Sequence, residues 1–182
     1  MKKIGIVGGV AWPSTLEYYR LICLGANEHF KRLGASPPYP TPLMTIESLV
    51  MNETRKLRGT PGGDDAEWTA FDAVFRGALL RLEQAGCEFG IIANNTSHTR
   101  LRTIRQGVTL PIISILEETA KATNASGAAK ALVLGTSVTM RSNDYADLLR
   151  AHGVEPNSRL PEDTIDEIQR LIDTEFDLEA QS

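Results

Sequence analysis

The residues Phe89 to His98 constrain this chain more than any other stretch: an apolar run, Phe89-Gly90-Ile91-Ile92-Ala93, empties directly into Asn94-Asn95-Thr96-Ser97-His98. Short apolar runs bounded by turn residues suit buried parallel strands, and open parallel sheets bind ligands outside the carboxyl ends of their strands. A strand that ends in amides, hydroxyls and an imidazole therefore predicts a small polar ligand held by hydrogen bonds. Asn94 is the odd member, because the place where a reactive group is expected carries a side chain that cannot titrate.

The same alternation recurs along the chain. Lys3 to Val7 is a β-branched run broken by Gly8-Gly9, after which Ser14-Thr15-Leu16-Glu17 reads as a capping box opening a helix with Leu16, Tyr19, Cys23, Ala26 and Phe30 on its core face and Gly34 as its stop. Pro37 to Pro42 stiffens the lead into a strand at Leu43 to Ile46. Arg58 to Asp65, with Gly59, Pro61, Gly62 and Gly63, is a loop that serves either as a lid or as a plain connection. Trp68, Phe71, Phe75, Ala78 and Leu82 then face the core of a second helix ended by Gly86. After the central run, Ser97 is the expected N-cap of a helix ending at Gly107, and Arg100, Arg102 and Arg105 are scattered around it as a solvated face. Leu110 to Ile113 is a fourth apolar run, followed by a helix capped at Ser114 and reaching Asn124. A fifth, Lys130 to Leu134, again ends in small hydroxyl residues, Gly135 to Ser142. Pro161 to Phe176 closes the pattern with Ile165, Ile168 and Ile172 on one helical face. Alternating strands and helices define an α/β fold with parallel sheets.

Several classes of function are excluded by composition. A formal charge of −4 with no concentrated Lys/Arg block argues against nucleic acid and anionic membrane as partners. No apolar run reaches the ~18 residues of a membrane span, and Met1-Lys2-Lys3 leads into a strand with no signal-peptide pattern, so a cytoplasmic location is expected. Cys23 and Cys87 lack the spacing of a metal site and are read as reduced, packed thiols. The Gly8-Gly9 turn does not complete a dinucleotide fingerprint, since Trp12 and Pro13 intervene and the third glycine is missing. It either contacts an anion such as a carboxylate or is simply a tight turn.

Taken together, these residues resemble the aspartate/glutamate racemase family of cofactor-independent amino-acid racemases. The carriers are Gly8-Gly9 followed by Trp12, Ser14, Thr15, Tyr18 and Tyr19; Asn95-Thr96-Ser97-His98; and Leu134-Gly135-Thr136 with Thr139-Met140 and Tyr145. The resemblance implies two similar small lobes with parallel sheets flanked by helices, residues 1–107 and 108–182, with the second incomplete at its C-terminal end and a site in the cleft between them. It implies a small-molecule ligand, an acidic amino acid such as aspartate or glutamate, and neither pyridoxal phosphate nor metal. Gly8, Gly9, Asn95, Thr96, Thr136, Ser137 and Thr139 are the implied substrate-binding residues, and Arg55, Arg58 or Arg141 would pair with a distal carboxylate. The family's chemistry uses two cysteine thiols on opposite faces of the substrate, because inverting a stereocentre requires removing a proton and restoring one across a planar intermediate. The first cysteine position falls on Asn94, and the second belongs to a Gly-Cys-Thr-Glu type motif that lies beyond this sequence together with a central strand. An exposed strand edge favours self-association, so a homo-oligomer is expected. Two functions remain open: a racemase of this family, and a catalytically silent relative that keeps the carboxylate pocket.

Overall fold

The computed structural model describes residues 1–176, so the last six residues of the expected second lobe lie outside the described residues. Four strands, β1 (Ile4–Gly8), β2 (Met44–Ser48), β3 (Phe89–Ile92) and β4 (Ile112–Ile113), form one parallel sheet in the order β2-β1-β3-β4. Parallel neighbours need long crossovers, and helices supply them. The crossovers are α1 (Trp12–Arg32), α2 (Met51–Lys56), α3 (Thr69–Gln84) behind a 3₁₀ turn (Asp65–Trp68), and the short pair α4 (Asn95–Thr99) and α5 (Leu101–Ile104). The sheet runs past residue 107, where the first lobe was expected to end, because Gly90 and Ile91 pair with Ile112 and Ile113.

The apolar period of α3 makes the core. Phe71, Phe75, Ala78, Leu79 and Leu82 are fully buried against Val7, Ile92, Ile104 and Leu110. The rings of Phe71 and Phe75 lie 4.6 Å apart, and Trp68 meets Phe71 edge to face at 5.3 Å. Cys87 is buried at the entry to β3, at the end of the strand away from the polar cluster.

The first helix departs from expectation. It starts at Trp12 with Pro13 in its first turn, two residues before the proposed capping box, and Ala11 at its N-cap has no side-chain bond. Proline suits that position because its missing N–H is unpaired there anyway. The expected core face holds at Cys23, Ala26 and Phe30, which are half-buried, but in the first turns Thr15, Tyr18 and Ile22 are half-buried while Leu16 and Tyr19 are 59% and 42% exposed.

A second, two-stranded parallel sheet pairs β5 (Lys130–Ala131) with β6 (Glu155–Pro156). It carries α6 (Ile115–Ala125), α7 (Ser137–Arg141), α8 (Asp144–Ala151) and α9 (Glu162–Leu171), with Ala120, Leu149, Val154 and Ile165 buried. The expected strand over 130–134 is regular for two residues only. A strand is held by its neighbours, and beyond Ala131 no pairing with β6 continues until the chain turns at Gly135. No helix among the described residues is long and apolar enough to cross a membrane.

Candidate functional site

Register places the first two predicted clusters side by side. Val7 pairs with Ile92, and Ala93 N donates to Val7 O at 2.9 Å, so Gly8-Gly9 and Asn94-Asn95 leave the carboxyl edge of adjacent strands together. Gly9 adopts φ +82° and its N–H donates to Thr15 Oγ1 at 2.9 Å. The turn thus satisfies its own donor from the helix that follows.

Asn94 is the N-cap of α4. Its Oδ1 accepts from Ser97 N at 2.9 Å, and Ser97 Oγ donates back to Asn94 O at 2.9 Å. Ser97, expected as the cap, is fully buried inside the helix instead. The signal was in the sequence, since asparagine is among the best N-cap residues and accepts from the residue three positions on. Replacing Asn94 with alanine is expected to lower stability by about 1 kcal/mol, read as a shift of the urea midpoint at constant slope.

His98 is buried, with Nε2 donating to Ile92 O at 3.1 Å and Nδ1 without a hydrogen-bond partner. Burial pushes its pKa below the ordinary histidine value and keeps the ring neutral. Its bond ties the end of β3 to α4. Thr96 is also buried, at 1% exposure, and its carbonyl accepts from Thr99 Oγ1 at 2.8 Å, whereas Asn95 is exposed.

The second lobe brings its polar cluster to the same place, because α7 and α6 pack against α4. Tyr145, from α8, donates its phenol to Asn95 Oδ1 at 2.9 Å across the lobes. The hydroxyls of Thr136 and Thr139 lie 3.3 Å apart, and Ser137 N donates to Gln169 Oε1 at 2.7 Å. Asn95, Thr119, Thr123, Thr139 and Tyr145 line one pocket of about 200 Å³. Burial pushes the Tyr145 phenol above its ordinary value, so it remains a donor at neutral pH. Thr119 and Thr123 were not singled out from the sequence, although their spacing puts both on one face of α6.

Arg100 corrects a second expectation. Instead of facing solvent, its guanidinium donates to both carboxylate oxygens of Asp72, at 3.3 and 2.8 Å, and Asp72 is 2% exposed. It also pairs with Asp65 and stands 5.6 Å over the Trp68 ring. Arg141 is engaged by Glu162 and Asp166 at 2.9 and 2.7 Å. Both arginines, with Pro61 to Gly63 of the glycine-rich loop, line a separate cavity of about 560 Å³.

The fold that carries these strand ends is shared with known proteins. The chain belongs to the Asp/Glu/Hydantoin racemase family, whose model matches residues 7–182. It is 37% identical over 83 residues to the broad specificity amino-acid racemase RacX of Bacillus subtilis (strain 168), a match covering 46% of this chain and 36% of that protein. The match therefore spans about a third of that curated relative's length. Among solved structures, an aspartate racemase homologue from Pyrococcus horikoshii superposes with a TM-score of 0.72 at 29% identity, over 98% of this chain and 73% of the other. The aspartate racemase of Picrophilus torridus, at 15% identity, a TM-score of 0.71 and coverage of 100% and 72%, shares the fold. An α/β architecture with a parallel sheet flanked by helices is common to this chain and these neighbours.

Proposed function

We propose that this chain binds a free amino acid between Gly8-Gly9, the start of α4 and the hydroxyl cluster of the second lobe, and that it carries out no thiol-based racemisation there. Family membership puts amino acids first as ligands and acidic ones, aspartate and glutamate, first among them. The observation that carries the second half is the state of Asn94. Abstracting an α-proton needs a group that can hold it, and a carboxamide cannot. Its oxygen is committed to Ser97 N, which makes the position a helix cap. Neither thiol replaces it: Cys87 is packed at the opposite end of β3, and Cys23 lies half-buried midway along α1. His98 is occupied through Nε2, and its buried ring is held neutral.

Amino acids incubated with the protein in D₂O are expected to show saturable binding by NMR and no loss of the α-proton signal over days. Exchange above the protein-free rate would overturn the non-catalytic reading. Failure of every amino acid to bind would overturn the ligand class.

A further inference from the structure

We infer that the bound amino acid carries an uncharged side chain, because the pocket lined by Asn95, Thr139 and Tyr145 is walled entirely by uncharged residues. The inference rests on the amino-acid reading above and replaces its acidic first choice with neutral side chains. The pocket of about 200 Å³ is completed by Ala131 to Leu134 and Leu149, and none of its ten lining residues is Asp, Glu, Lys, Arg or His.

A distal carboxylate taken into such a space gives up water and needs a cation or several free donors in return. The cations proposed from the sequence are elsewhere. Arg141 lines the other cavity and is held by two carboxylates, and Arg55 and Arg58 are not among the residues of this pocket.

Several of the neutral donors are also already used. Tyr145 has given its phenolic hydrogen to Asn95 Oδ1, and Thr123 Oγ1 donates to Thr119 O at 2.8 Å. Thr136 and Thr139 face each other at 3.3 Å, so one of their two hydrogens lies between them. What remains on these walls is neutral: the amide N–H groups of Asn95 as donors, and as acceptors the lone pairs of the threonine oxygens, of the phenol and of Asn95 Oδ1. A carboxylate is acceptor-only, whereas an amide or hydroxyl brings hydrogens of its own. The exposed leucines at the rim, Leu132 and Leu134 at 46% and 60%, suit an aliphatic stem.

The test titrates the full chain, ¹⁵N-labelled, with glutamine against glutamate and with asparagine against aspartate. The neutral member of each pair is expected to bind at least about ten-fold more tightly, with shifts at Thr119, Thr123 and Thr139. Equal affinity, or a preference for the acid, overturns the inference and leaves the amino-acid reading intact. If no member of either pair binds, the remaining amino acids are titrated in turn: binding of charged ones alone overturns the inference, and binding of none overturns the amino-acid reading with it. The variant Leu134→Arg puts a cation at an exposed rim position, and it should move the preference toward glutamate. An unchanged preference in a variant with wild-type circular dichroism would show that the ligand's side chain lies outside this pocket.

Discussion

Replacing Arg100 with alanine is expected to destabilise the protein by about 3–5 kcal/mol, which corresponds to a fall in Tm on the order of 10 °C for a chain of this size. The size follows from what is left behind. Asp72 is 2% exposed, and its two carboxylate oxygens are satisfied by the Arg100 fork alone among the described hydrogen bonds. Without the guanidinium, a buried carboxylate on α3 loses its counter-charge, and that penalty exceeds the worth of the pair itself. The substitution also removes a cation from over Trp68 and the partner of Asp65, the first residue of the 3₁₀ turn. Arg100 holds the Asp65 carboxyl below its usual range, so this exposed part of the network is present at neutral pH and fades as acid protonates the folded carboxylate.

The double variant Arg100→Met with Asp72→Leu distinguishes a structural pair from a merely crowded one. Removing both charges leaves nothing unpaired, so it should recover most of the loss seen in Arg100→Ala. A double variant as unstable as the single one would place the deficit in packing around Trp68 and not in the uncompensated carboxylate.

The polar strand ends were legible because every part of the signal is local: apolar runs, glycine turns, and Asn, Thr and Ser within a few residues of one another. Gly34, Gly86 and Gly107 also stop their segments at positive φ as their positions predict. The Arg100–Asp72 pair was not legible, because its partners are 28 residues apart and only the docking of α5 against α3 makes them neighbours. Spacing around one helix suggested a solvated face, but the helix is broken at Arg100 into α4 and α5, so the three arginines do not share one continuous period. For α1 the expected stripe holds at Cys23, Ala26 and Phe30 and fails in the first turns, where Leu16 and Tyr19 are exposed and Thr15, Tyr18 and Ile22 are half-buried instead. Strand length failed in the second lobe for a related reason. The run Lys130 to Leu134 has strand composition throughout, but regular pairing lasts only as far as β6 accompanies it.

Asn94 shows the same limit at the site itself. Sequence shows that the residue cannot titrate, and only geometry shows that it caps α4. A position that would carry a base in a thiol mechanism is here part of the scaffold, and Asn95, its neighbour, is the residue joined across the lobes to Tyr145.

The second large effect is expected at the turn beside it: Gly9→Ala should cost about 2–5 kcal/mol and weaken amino-acid binding in step. Two separate terms add. At φ +82° an L-residue with a Cβ sits in the left-handed region, which costs roughly 1–2 kcal/mol. The added Cβ would also stand 2.2 Å from Leu49 O, 2.7 Å from Leu49 N and 2.6 Å from Ser48 Oγ. Two of these three are backbone atoms, fixed by the bond from Leu49 N to Gly8 O at 2.9 Å, so they cannot swing aside. Relief requires parting β1 from β2 or breaking the bond from Gly9 N to Thr15 Oγ1, and either displaces the turn that lies beside Asn94. Gly34 is the control, with φ +80° and nothing within 4 Å of an added Cβ. Gly34→Ala should therefore show the backbone term alone, about 1–2 kcal/mol, and leave binding unchanged. Equal losses in the two variants, measured by denaturant midpoints, would mean that the close approach of Leu49 contributes nothing and that φ alone requires glycine at position 9.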